Sequence, residues 1–136
     1  MRIAFYSAMV EDFIPPDVRS FILERIESVA ELEALLLLHK HERESWSPTR
    51  VADRLYVTEP AATDILARLT AERLCTLDGG LYRFAPATPN EAGLVRQLAD
   101  AYARHLIPVT RIVHSKPARI QRFADAFRFR SGKEET

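Results

Sequence analysis

Cysteine occurs once in the 136 residues, at Cys75, so no disulfide can close within the chain and a reducing compartment is expected. Glycine is scarce as well. Four are present, and they are too scattered to build a phosphate-cradling loop. Charge of one sign is not in excess: 19 basic and 19 acidic side chains cancel, which removes the overall basic surplus common among nucleic-acid binders. Long apolar runs are missing too. The longest is Ala34–Leu38, far short of the roughly 20 residues a membrane-spanning helix needs, so no membrane insertion is expected. The start, MRIAFYSAMVEDF, lacks the basic opening and apolar core of a secretory signal, and a cytoplasmic location follows as an expectation. No metal signature or nucleophile elbow appears, so neither an enzyme nor a cofactor is expected.

What is present is unevenly placed. Residues 1–45 carry five basic and nine acidic side chains, a net of −4, residues 46–88 are balanced, and residues 89–136 carry nine basic and five acidic, a net of +4. Ends of opposite charge can meet each other, or the basic end can meet an acidic partner.

Ile3, Phe5 and Met9 suit a short strand or a surface-lying segment. After Pro15 and Pro16, the stretch Asp17–Glu27 places Val18, Phe21, Ile22, Leu23 and Ile26 at helical spacing. Ser28 and Glu31 form a capping-box pattern ahead of a leucine-rich helix reaching about His41. Trp46 then fits a one-residue strand. Ser47-Pro48 starts a helix to Leu55, Tyr56–Thr58 turns, and Thr58-Glu59-Pro60 starts a third helix to about Glu72. Leu74–Leu77 and Leu81–Phe84 flank Asp78-Gly79-Gly80, a tight-hairpin signal. Thr88-Pro89-Asn90-Glu91 opens a long helix. On it Val95, Leu98, Tyr102, His105, Val109 and Ile112 recur every three or four residues, the rhythm of helix pairing, with Pro108 expected to kink or split it. Ser115-Lys116-Pro117 looks like another start, for a helix over Ala118–Arg128 with Phe123 and Phe127 on one face.

This order predicts a mainly α fold with a small β-hairpin (α+β): a winged helix-turn-helix core with N- and C-terminal helical extensions. The expected division is residues 1–27 as an extension with a short helix, 28–86 as the winged domain, and 87–136 as a helical region for dimerisation or docking.

The segment Val29–Phe84 resembles the winged helix-turn-helix domains of bacterial transcriptional regulators, especially MarR-like ones. The resemblance is carried by the helix order, by Ala62, Ile65, Leu69 and Leu74, and by the Gly79-Gly80 wing. The flanks VRSFILERIESVAELEALLLL and RFADAFRFR are similar to a group of small bacterial winged-helix proteins with this layout. The resemblance implies a DNA-binding transcriptional regulator whose third helix enters the major groove of double-stranded DNA. The candidate DNA-binding residues are then Arg50, Arg54, Ala61, Thr63, Arg68 and Arg83. It also implies a homodimer, with Val95, Leu98, Tyr102, His105, Val109, Ile112, Phe123 and Phe127 as the dimer or partner interface.

Other features pull differently. Glu59 and Asp64 on the third helix repel phosphate. Arg119, Arg122, Arg128, Arg130 and Lys133, interleaved with phenylalanines, suit a protein partner docking on the basic C-terminal segment. The alternative reading is therefore a winged-helix protein–protein interaction adaptor that binds no DNA. His39 and His41, two apart, do not share a helical face, so a solvated helix end is preferred over a zinc pair. Cys75 reads as a small buried strand residue, with Arg73 as the nearby group able to stabilise a thiolate.

Overall fold

The computed structural model describes residues 14–115. The strand over Ile3, Phe5 and Met9 and the helix with Phe123 and Phe127, together with its arginine cluster, lie outside the described residues. The described chain runs α1 (Pro16–Arg25), α2 (Val29–Lys40), α3 (Pro48–Leu55), α4 (Glu59–Ala71), β1 (Cys75–Asp78), β2 (Leu81–Phe84) and α5 (Pro89–Arg104), then α6 over residues 106–115. No helix among the described residues is long and apolar enough to cross a membrane.

Local chemistry sets the helix starts. Ser28, Ser47, Thr58 and Thr88 each accept a hydrogen bond, through the side-chain oxygen, from the backbone amide three residues on. Each satisfies one of the donors a helix leaves unpaired at its start. Proline stands in the first turn of α1, α3, α4 and α5, where its missing N–H costs nothing.

The wing follows from glycine. Gly79 and Gly80 have φ of 57° and 79°, the two positive values that a two-residue hairpin turn matched to strand twist requires. β1 and β2 pair antiparallel with Cys75 opposite Phe84 and Asp78 opposite Leu81, one residue later in β1 than the sequence pattern suggests. Trp46 joins them as expected. It pairs with Tyr82 through two backbone hydrogen bonds of 2.7 and 2.8 Å, adding a one-residue third strand.

The core is continuous from α1 to α6. Val18, Ile22, Ile26, Leu32, Leu35, Leu38, Trp46, Leu66, Leu69, Leu74, Val95, Leu98 and Val109 are all buried. α2 lies at the centre and contacts α3, α4, β2 and α5, while α1 packs on α5. Val95, Leu98, Val109 and Ile112 are buried within a single chain, and only Tyr102 and His105 of the stripe keep partial exposure. The apolar spacing was satisfied by the chain's own α1 and α2. The helix also breaks earlier than Pro108. It stops at His105 (φ −134°, ψ 58°), and Pro108 falls in the first turn of α6, where proline is tolerated. Ser115, read as a fresh start, is still helical and donates to the Ile112 carbonyl at 2.7 Å.

One guanidinium ties three elements. Arg25, at the end of α1, reaches Glu72 at 2.6 Å through Nε and Glu91 at 2.6 Å through Nη1, and Nη2 donates to the Glu72 carbonyl. It thereby fixes α1 to the end of α4 and the start of α5. Arg25→Ala leaves two carboxylates without their cation and is expected to lower stability by about 1–3 kcal/mol. Arg25→Lys, without the planar fork, recovers only part. Urea unfolding measures both, and an alanine variant with the wild-type midpoint would contradict the clamp.

Candidate nucleic-acid interface

α3, the turn over residues 56–58 and α4 form a helix-turn-helix, with the β1–β2 wing beside it. Ala62, Ile65, Leu66 and Leu69 bury one side of α4. Its other side, with Glu59, Pro60, Thr63, Asp64 and Ala67, is open to solvent. Glu59, Pro60, Thr63 and Asp64 line a shallow depression of about 420 Å³.

The basic side chains that flank this face are organised by Trp46. Arg50 and Arg54 stand four apart on α3 and so share a face. Their guanidinium carbons lie 4.1 and 5.6 Å from the centre of the Trp46 ring, a cation–π arrangement. Arg50 also donates to the Ser45 carbonyl at 3.2 Å and lies 3.6 Å from Glu44. The Trp46 backbone is bonded to Tyr82, and the next residue, Arg83, is exposed on β2 opposite Thr76. Trp46 therefore connects Arg50 and Arg54 on α3 to the strand carrying Arg83.

The remaining candidates behave differently. Ala61 is half-buried, and its amide serves the Thr58 cap. Thr63 is exposed, but its hydroxyl donates to the Glu59 carbonyl at 3.0 Å. Arg68 is 44% exposed on α4, and its Nε donates to Glu31 at 3.4 Å and lies 3.8 Å from Glu27. The cause is the buried carboxylate: Glu31 is 1% exposed, and such a group needs a cation and hydrogen bonds. Its sequence role as the fourth residue of a capping box hid this second duty.

Burial pushes the Glu31 carboxyl above its ordinary value, against the pull of the Glu27 amide and the Arg68 guanidinium. Three further groups are settled by packing. His39 stacks edge-on against Phe84 at 5.1 Å, and burial lowers its pKa. His41 bonds Glu44 at 3.1 Å and lies 5.6 Å from the Trp46 ring. These two histidines thus rest on aromatic rings under the wing. Among the described residues no group of three or more His, Cys, Asp or Glu could hold a metal. Cys75 is buried, with its thiol 3.3 Å from the Thr70 hydroxyl, and burial pushes its pKa up, the opposite of an activated thiolate.

The sequence reading missed Tyr56. It lies in the helix-turn-helix turn, 95% exposed, with a left-handed backbone. Its only advance sign was its place between two helices.

This topology defines a winged helix-turn-helix. Solved structures similar to the chain include a point mutant of Lactococcus lactis ZitR, at 15% identity over 79% of this chain and 74% of that one, with a TM-score of 0.44. They also include S. aureus MepR bound to ethidium bromide, at 15% identity over 85% and 88% with a TM-score of 0.45. A MepR point mutant from a multidrug-resistant S. aureus clinical isolate matches at 14% identity over 96% of each chain, with a TM-score of 0.48. No protein-family model matches the sequence, and a search of curated proteins gives no match. The likeness is one of fold, and what this chain binds must be read from its own side chains.

Glu31 gives a pH test. Its folded pKa is raised above the ordinary value of about 4.5, so its stabilising contribution is complete below that value and lost as pH rises through the folded pKa. Glu31→Gln is neutral throughout. The stability of this variant minus that of wild type is expected to increase as pH rises across that window, and Arg68→Ala is expected to push the carboxyl higher still. A pH-independent difference in urea unfolding would contradict the assignment.

Proposed function

We propose that the protein is a winged-helix DNA-binding transcriptional regulator. The observation that carries this reading is the open face of α4, bordered by Trp46-ordered Arg50 and Arg54 and by Arg83 on the wing. In this reading α4 lies in the major groove with Thr63 toward base edges and Ala61 toward an apolar base edge. Arg50, Arg54 and Arg83 hold backbone phosphates. The protein works as a homodimer, presenting two such faces to successive groove segments. Because the α5 stripe is internal, pairing uses Leu106 and Ile107, which are 52% and 59% exposed at the start of α6. No catalytic step belongs to this reading, and the protein acts in the cytoplasm.

A second reading has its own support. Glu59 and Asp64 sit on the open α4 face and Arg68 is committed to Glu31. An acidic helix face of this kind suits a protein partner better than phosphate, as in an adaptor.

Titration of labelled duplex DNA from about 20 mM salt upward separates them. The regulator is expected to bind, with two chains per site and affinity that falls steeply with salt. Arg54→Ala is expected to flatten the log–log salt slope by about 0.9 per chain. Absence of binding at the lowest salt would sink the DNA reading in favour of the adaptor.

A further inference from the structure

Tyr56 is placed where the chain loses stability. Its φ of 57° and ψ of 42° lie in the left-handed region. A side chain with a Cβ is disfavoured there, which is why glycine or asparagine usually ends a helix in this conformation. The backbone gives it no freedom to relax. The Tyr56 amide donates to the Ala52 carbonyl, and so does the Val57 amide at 3.1 Å. The ring recovers nothing through burial either, being 95% exposed, whereas the other exposed large apolar residues range from 42% to 59%.

Arg73 shows what compensation looks like. It too has a positive φ, of 61°, just past the end of α4. A cationic residue at that position suits the negative end of the helix. Tyr56 closes α3 with a neutral phenol and has no such return.

The chemistry of the position is specific. Tyr56 stands two residues after Arg54 and three before Glu59, in the loop that joins the phosphate-facing helix to the groove-facing one. A phenol is a neutral O–H donor on an apolar ring, able to bond a phosphate oxygen without the repulsion that Glu59 and Asp64 bring. We propose that Tyr56 is a duplex-contact residue, donating its O–H to a backbone phosphate oxygen and so setting how the helix-turn-helix seats on DNA. This rests on the DNA-binding reading above.

Two variants test it in the same duplex titration. Tyr56→Phe removes only the hydroxyl and is expected to weaken binding about tenfold, the loss of one hydrogen bond to a charged acceptor. Because no cation is removed, its salt slope is expected to match wild type, unlike that of Arg54→Ala. Tyr56→Gly is expected to melt at or above the wild-type temperature, since strain is relieved, while binding at least as weakly as Tyr56→Phe. If wild type binds duplex and both variants bind it equally well, the Tyr56 contact is overturned and the DNA reading stands. If wild type itself fails to bind at about 20 mM salt, both fall together.

Discussion

The pairing of Trp46 with Tyr82 is the contact on which the rest of the surface depends. Its two backbone hydrogen bonds fasten the segment before α3 to the wing. The indole then fills the junction, at 1% exposure, and its face orders Arg50 and Arg54. That pairing adds to the contacts of α2 with β2 and of α4 with β1 that already seat the hairpin on the helices. With it, side chains from α3 and β2 belong to one rigid frame, which a binding surface needs if its contacts are to act together.

Two ion-pair groups hold that frame to the N-terminal helices. Arg25 joins the end of α1 to Glu72 and Glu91, and Arg68 joins α4 to Glu27 and Glu31. Both guanidinium groups are drawn to acidic residues of the regions they connect. Arg68 is thereby engaged by carboxylates of its own chain, while Arg50 and Arg54 are held against the Trp46 ring.

Much of the fold was legible because its determinants are local. The hydroxyls of Ser28, Ser47, Thr58 and Thr88 mark helix starts within three residues of the amides they cap. Gly79 and Gly80 mark the wing through their own backbone angles. The α5 stripe was less legible, because a three-and-four repeat specifies a packing face and not whose surface covers it. Arg68 could not be placed because its partner, Glu31, is 37 residues away and looks like an ordinary capping residue. Tyr56 was hidden for the opposite reason: its left-handed backbone goes against what tyrosine ordinarily adopts.

In the proposed function, α3 and the wing form one DNA-facing surface through Trp46. Trp46 is the single tryptophan, so its fluorescence reports on this junction alone. The direct measurement is its emission during titration with duplex DNA, set beside the anisotropy of a labelled duplex in the same samples. The two curves are expected to overlay and to weaken together as salt rises, because Arg50 and Arg54 change partners above the ring. Binding seen by anisotropy with no change in the Trp46 emission would contradict it.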